Sequence, residues 1–209
     1  MQGPAGTEEL IERAKAGDAT ALAHLFEGYR ARLRKLVDLR LDRRLAGRVD
    51  PSDVLQEAFI DLAQKLPTYD RRRDLQFFLW LRLVTGERLA EIHRRHLGTK
   101  KRDAALEVSL YRGSMPTAES VTLAHSLFGR FSSPSHGAMR AEIQIQLQDV
   151  LNAMEPIDRE VLVLRHFEEL TNDEAAAVLG LKKTAASNRY MRALGRLREA
   201  LVRMPGFLQ

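Results

Sequence analysis

The C-terminal part of the chain carries the pattern that most restricts its fold, two amphipathic helices separated by a tight turn. Thr171 followed by Glu174 forms a capping box, which predicts a helix start, and Gly180 supplies the permissive backbone that the turn needs. The second helix has an apolar stripe at helical spacing, made of Ala186, Tyr190, Leu194, Leu197 and Leu201. The pattern predicts a helix-turn-helix, in which one side of the second helix packs and the other enters a DNA major groove.

The charge of that second helix favours DNA binding over an ordinary surface helix. Segment 182–203 contains seven basic residues and one acidic residue. A solvated surface helix commonly mixes the two signs, whereas a one-sided charge suits a phosphate backbone. The whole chain has a net charge of +5 and a pI near 9.7, which also fits an anionic partner such as nucleic acid.

The rest of the chain is expected to be helical too, so the predicted fold class is all-α. No segment alternates with a period of two, and the helical segments are 7–16, 19–41, 51–66, 74–97, 136–153, 156–167, 171–179 and 182–202. Residues 99–135 interrupt this pattern with Ser, Pro and Gly, which predicts a long irregular linker. We therefore expect an N-terminal helical domain over 1–98, the linker, and a helix-turn-helix domain over 136–209. Because the linker also contains apolar residues, we expect it either to dock on its own domains or to lie in a groove of a partner.

Several classes of protein are disfavoured by the residues that the chain lacks. The sequence has no cysteine, which excludes disulfides and thiolate zinc sites, and no apolar run long enough to span a membrane. The N-terminus lacks the apolar core of a signal peptide, so the expected location is the cytoplasm. The histidines are scattered without acidic or Cys partners at ligand spacing, and no Gly-rich phosphate loop is present. We therefore expect no metal, no cofactor and no enzymatic activity.

The 51–66 helix has two unlike sides. An Asp50 cap and Pro51 predict its start, and apolar residues line its packing side. The opposite side carries Asp53, Gln56, Glu57 and Ile60. An apolar residue within an acid and amide row is typical of a protein-binding surface. It is equally compatible with a surface helix that has one stray apolar residue.

The 74–97 helix changes character along its length. Its first half carries Phe77, Phe78 and Trp80, and its second half becomes cationic from Arg88 onward. Aromatic rings beside a basic strip can stack on unpaired bases while the cations hold phosphates. The alternative is that the aromatic residues are core, which we expect for at least two of the three.

Three motifs in this order resemble bacterial RNA polymerase sigma factors of the sigma-70 family, specifically the two-domain extracytoplasmic-function (ECF) group. Asp53-Val54-Leu55-Gln56-Glu57-Ala58-Phe59 resembles region 2.2. Phe77-x-x-Trp80-Leu81 and the Arg-rich helix after it resemble regions 2.3 and 2.4, and the segment from Glu155 through the helix-turn-helix resembles region 4.

The resemblance implies a role for each group of residues. Contact with the β′ clamp helices of core RNA polymerase would involve Asp53, Gln56, Glu57 and Ile60. Binding and opening of the −10 promoter element would involve Tyr69, Arg71, Arg72, Arg73, Trp80, Arg88, Arg94 and Arg95, with segment 68–75 capturing a flipped-out base. Recognition of the −35 element would involve Lys182, Lys183, Thr184, Ala185, Asn188, Arg189 and Arg192. Further implied partners are the β flap and an anti-sigma factor, and the linker would pass near the polymerase active site.

The chain departs from the family pattern at the start of the recognition helix. The family usually has Gly-Thr-Val-Lys-Ser-Arg, whereas residues 184–189 are Thr-Ala-Ala-Ser-Asn-Arg, so the usual Lys is Ser187. Lys182 and Lys183 provide cations just upstream. The long linker, the Ser-Pro-Ser at 133–135 and the SNRY at 187–190 are similar to a planctomycete-like subgroup.

Two other classes of function remain as alternatives. A stand-alone helix-turn-helix regulator would bind DNA as a dimer and would have no use for the 51–66 motif. A nucleic-acid enzyme would need a metal or phosphate site that the sequence does not offer. A sigma factor, in contrast, needs both the 51–66 surface and the helix-turn-helix.

Overall fold

The computed structural model describes residues 4–70, 76–97, 118, 120–131 and 137–203. The chain divides into two compact units, Met1–Pro116 (unit 1) and Thr117–Gln209 (unit 2). Across the described residues, every regular element is helical and no strand occurs. The all-α prediction is therefore confirmed.

In the described part of unit 1, four α-helices form a bundle, α1 (Pro4–Lys15), α2 (Ala19–Arg40), α3 (Pro51–Lys65) and α4 (Phe77–Leu97). Helix α2 begins where the Asp18 carboxylate accepts the backbone N–H groups of Thr20 and Ala21, and α3 begins where Asp50 accepts that of Ser52. Helix α1 packs on α2, which also packs on α3 and α4, and α3 packs on α4. Leucines dominate the fully buried positions between the helices, namely Leu33, Leu36, Leu45, Leu62, Leu81 and Leu89.

Unit 2 contains α5 (Ser120–Phe131), α6 (Gly137–Ala153), α7 (Pro156–Leu162), α8 (Asn172–Leu179) and α9 (Lys183–Arg203). Helix α7 continues as a π-helical turn over Val163–Phe167, in the segment predicted as one helix over 156–167. Helix α9 packs on α6, α7 and α8, and α5 packs on α6. The fully buried leucines of this unit include Leu123, Leu147 and Leu151.

The presence of α5 differs from the expected irregular linker over 99–135. Leu123, Ala124 and Leu127 of this helix are buried, and the Ser120 hydroxyl accepts a hydrogen bond of 2.8 Å from Arg159 of α7. Apolar residues at helical spacing thus outweigh the Ser-rich composition, and this part of the segment docks on its own unit. Predicted linker residues 99–117, 119 and 132–135 lie outside the described residues.

Candidate nucleic-acid interface and partner-binding face

The helix-turn-helix predicted from the sequence is formed by α8 and α9. The Thr171 hydroxyl accepts the Glu174 N–H at 3.2 Å, and the Glu174 carboxylate accepts the Thr171 N–H at 2.7 Å, which completes the capping box. Gly180 ends α8 with φ of 64°, a left-handed conformation that favours glycine. The turn therefore places the start of α9 immediately after α8.

Helix α9 packs one side and leaves the other open. Ala186, Ala193 and Leu197 are buried, and the Tyr190 hydroxyl lies 3.0 Å from His166 Nε2. The residues expected to contact the −35 element divide between exposed and half-buried positions. Lys182, Lys183, Thr184, Asn188 and Arg192 are exposed, whereas Ala185 and Arg189 are half-buried.

Arg189 is held by the protein rather than presented to solvent. Its Nη1 donates to Asp158 Oδ1 at 2.8 Å and to Glu155 Oε2 at 3.2 Å. The hydrogen bond to Asp158, followed by that to Glu155, raises the pKa of the Arg189 guanidinium above its ordinary value. Sequence reasoning placed Arg189 at the DNA and missed both acidic partners, which lie 31 and 34 residues upstream.

The proposed polymerase-binding residues lie on one side of α3, as their spacing predicts. Asp53, Gln56 and Ile60 are exposed, and Ile60 is 56% exposed despite its apolar side chain. Glu57 is half-buried because its carboxylate faces the basic second half of α4, 3.4 Å from Arg88 and 3.9 Å from Arg95. The structure thus gathers these four residues on a polar surface with one exposed apolar residue.

The aromatic residues at the start of α4 are mostly core. Phe77 and Phe78 are each 6% exposed, so at least two of the three aromatic residues are core, as predicted. Trp80 is half-buried, and its ring centroid lies 4.8 Å from that of Tyr69, which is itself only 3% exposed. Tyr69 therefore packs its ring against that of Trp80 and is not accessible from solvent. Arg71, Arg72 and Arg73 lie outside the described residues.

The cations of α4 do not all face outward. Arg88 donates through Nε to Asp61 Oδ2 at 2.7 Å, with a second hydrogen bond between the same side chains, and it pairs with Glu57 and Glu91. The Asp61 hydrogen bond raises the pKa of Arg88 above its ordinary value. Arg94 is exposed, and Arg95 pairs with Glu91 at 3.3 Å. The sequence does indicate that Asp61 needs a cationic partner, because it lies toward the packing side of α3 and a buried carboxylate must be paired.

His93 is a further residue that the sequence did not assign. Its Nε2 accepts the backbone N–H of Asp42 at 3.1 Å, which ties α4 to the turn after α2. Burial lowers the pKa of the His93 imidazole, so the neutral form that accepts this hydrogen bond is favoured. The bond therefore depends on His93 remaining neutral.

The described residues also bear on metal binding and on membrane insertion. No group of three or more His, Asp or Glu residues in these ranges is placed to hold a metal ion. In the same part of the chain, no helix is long and apolar enough to cross a membrane.

Sequence comparison relates this geometry to known proteins. The profile of the family described as "Sigma-70, region 4" matches residues 144–197, which run from within α6 through most of α9. The RNA polymerase sigma-E factor of Streptomyces coelicolor is 46% identical over 56 residues, 27% of this chain and 32% of the relative. The aligned part thus spans about a third of that relative.

Other similarities extend over nearly the whole chain. The ECF RNA polymerase sigma factor SigD of Mycobacterium bovis is 26% identical over 200 residues, 93% of this chain and 84% of the relative. The solved structure of CnrH, determined in complex with the cytosolic domain of CnrY, shares the fold with a TM-score of 0.55 at 21% identity. It covers 94% of this chain and 97% of that one. The chain is therefore similar to the sigma-70 region 4 family over residues 144–197 and, at lower identity, to an ECF sigma factor over most of its length.

Proposed function

We propose that the chain is a promoter-specificity subunit that binds core RNA polymerase and directs transcription initiation at promoters with −10 and −35 elements. It acts by binding, not as an enzyme, and works in the cytoplasm. The proposal rests on the presence of two features in one chain. Unit 1 has an exposed apolar residue in an acidic row on α3, and unit 2 has a cationic helix-turn-helix. A protein that only binds DNA has no use for the α3 surface.

Unit 1 is proposed to dock on the β′ clamp helices through Asp53, Gln56, Glu57 and Ile60. A partly exposed isoleucine bordered by carboxylates suits a partner surface that is apolar at its centre and basic at its rim. The β flap is the proposed contact of unit 2. The relative CnrH forms a complex with the cytosolic domain of CnrY, and an anti-sigma factor is correspondingly a proposed partner of this chain.

The −10 element is proposed to contact α4 and segment 68–75. Trp80 is the aromatic residue that is partly accessible for stacking, and Arg94 is an exposed cation. Arg88 is committed to carboxylates and contributes through the position of α4. Arg71, Arg72 and Arg73 remain proposed contacts by sequence alone.

The −35 element is proposed to contact the N-terminal half of α9. Thr184, Asn188 and Arg192 are exposed on one side of this helix, with Ala185 beside them. Lys182 and Lys183, both exposed, are proposed to contact the phosphates that flank the groove, and Lys183 pairs with Asp173 at 2.9 Å across the turn. Arg189 acts from behind this surface. The planctomycete-like subgroup remains a prediction.

Reconstituted transcription with core polymerase tests the proposal. Core enzyme with the full chain should initiate at discrete start sites, preceded by shared −10 and −35 sequences, when genomic DNA is the template. The chain alone should bind the same promoters poorly. Tight and specific binding of a palindromic site by the free chain, together with no effect on polymerase, would instead support a stand-alone regulator.

A further inference from the structure

A buried carboxylate lies behind the DNA-facing side of the recognition helix. Asp158, on the first turn of α7, has no exposed side-chain surface, and three arginines of α9 surround it. Arg189 Nη1 is 2.8 Å from Oδ1, while Arg192 Nη1 and Arg196 Nη1 are 3.8 and 3.9 Å from Oδ2. Among the described residues, Oδ2 has no hydrogen-bond partner, so the more distant arginines neutralise it only through their charge.

The three arginines are not equivalent. Arg189 is 26% exposed and is also paired with Glu155, whereas Arg192 and Arg196 are 47% and 46% exposed. Arg189 thus has two acidic partners at hydrogen-bond distance. Arg192 and Arg196, in contrast, lie too far from Asp158 for a hydrogen bond. Arg192 and Arg196 can turn to a phosphate without breaking a hydrogen bond to this carboxylate.

Moving Arg189 to DNA would carry a specific cost. Asp158 would lose, in a site without solvent, the one short ion pair that the described residues give it. A buried ionisable group that loses its partner destabilises the protein more than an unsatisfied neutral group does. A phosphate contact in a solvated groove offsets little of that cost.

We propose that Asp158 is a positioning residue for −35 recognition. It acts by binding Arg189 and keeping this side chain away from the DNA. The Asp158–Arg189 pair fixes α9 against α7, so that Thr184, Asn188 and Arg192 meet the groove in one orientation. Arg192 and Arg196 are thus available to phosphate, whereas Arg189 holds α9 against α7. This inference rests on the proposed function.

The number of phosphate contacts is measurable separately from affinity. Each phosphate that a protein cation neutralises on duplex DNA adds about 0.9 to the magnitude of the slope of log K against log salt concentration. A residue that only stabilises the fold does not change this slope. The slope therefore distinguishes a withheld arginine from one that contacts phosphate.

The test uses holoenzyme assembled from core polymerase and the full chain. The probes are a promoter duplex selected by the wild-type holoenzyme from a random library and a copy with a scrambled −35 element. Dissociation constants for both are measured over a series of salt concentrations. Arg189→Gln should leave the salt slope unchanged but reduce the preference for the intact −35 element about tenfold, because the orientation of α9 is lost. The matched control Arg192→Gln, one turn along the same helix, should lower the slope by about 0.9.

Asp158→Asn removes the charge and keeps the shape of the side chain. It leaves Arg189 with the exposed Glu155 as its acidic partner, so Arg189 should turn to the DNA backbone, steepen the slope by about 0.9 and reduce the −35 preference. Adding Arg189→Gln to this variant should return the slope to its wild-type value. A lower slope for Arg189→Gln, or an unchanged slope for a folded Asp158→Asn variant, overturns the inference.

Two further outcomes are separable. If circular dichroism shows that Asp158→Asn does not fold, the salt slope of Arg189→Gln alone tests the inference. A decrease in that slope overturns the inference, and an unchanged slope upholds it. If the wild-type holoenzyme shows no preference for an intact −35 element, the proposed function fails, and this inference with it.

Discussion

In the described parts of units 1 and 2, a charged side chain is surrounded by three of opposite sign, but the signs are reversed. In unit 1, Arg88 of α4 is paired with Asp61, Glu57 and Glu91. In unit 2, Asp158 of α7 is surrounded by Arg189, Arg192 and Arg196.

The reversal separates two kinds of surface. Around Arg88 the carboxylates outnumber the cation, so the adjoining side of α3 remains acidic and suits a basic protein partner. Around Asp158 the guanidinium groups are in excess, so α9 remains cationic and suits phosphate. An arginine on a helix expected to bind DNA can therefore be engaged by its own protein, and its partners decide whether it is available.

The largest effect is expected from breaking the unit 1 cluster. Asp61→Asn removes the principal partner of Arg88, whose side chain is only 19% exposed, and should destabilise unit 1 by about 2–3 kcal/mol. Hydrogen–deuterium exchange of the α3 and α4 amides measures this loss within the unit. The control Asp53→Asn, on the exposed side of α3, should change it by less than about 0.5 kcal/mol. Equal exchange rates in the two variants would contradict the assigned role of the cluster.

The next effect tests the acidic surface as a docking site. Ile60→Asp should weaken binding to core polymerase about 10- to 30-fold, as expected for a buried apolar residue at an interface centre. Ile145→Asp in unit 2 is the matched control, because Ile145 is 59% exposed and Ile60 is 56% exposed. Fluorescence anisotropy of a labelled chain titrated with core enzyme measures both. Equal affinities for the two variants would count against the α3 surface.

A smaller effect depends on pH and is confined to unit 1. Since the pKa of His93 is lowered in the folded protein, the unfolded chain binds a proton first as the pH falls below about 6.5. The stabilisation from neutral His93 is therefore complete above that pH and is lost progressively below it, toward the pKa of the folded state. Amide exchange in α4 between pH 7.5 and 5.5 should accelerate accordingly, after correction for intrinsic exchange.

Two variants assign this pH dependence. His93→Gln should flatten it, whereas His96→Gln, an exposed histidine three residues later, should retain it. A pH dependence that survives in His93→Gln would have to come from another group.

The smallest effect compares the two units through their helix-interior glycines. A Cβ built at Gly28 of α2 or Gly195 of α9 meets nothing within 4 Å. Alanine at either position should stabilise its own unit by about 0.5–1 kcal/mol, by reducing the freedom of the unfolded chain. Thermal unfolding followed by circular dichroism should show the increase, and a decrease would indicate a contact absent from the described residues.

Local features were predictable from the sequence, while the ion pairs were not. The capping box of Thr171 and Glu174 and the start of α3 at Pro51 depend on residues within one turn, so their pattern is visible in the chain. Asp61, the principal partner of Arg88, lies 27 residues away and Asp158, that of Arg189, lies 31 residues away, each on another helix, and only tertiary packing brings them together. Helix α5 is hard to predict because its segment is rich in Ser, which is typical of loops, although its apolar residues recur at helical spacing.

Trp80 also gives the molecule a built-in optical reporter. It is the one tryptophan in the sequence, and its indole lies against the Tyr69 and Phe77 rings while remaining partly accessible. Emission excited at the red edge of the absorption band comes from this indole alone. Quenching by a stacked nucleobase would therefore follow events at α4 in real time, and events confined to α9 would leave the emission unchanged.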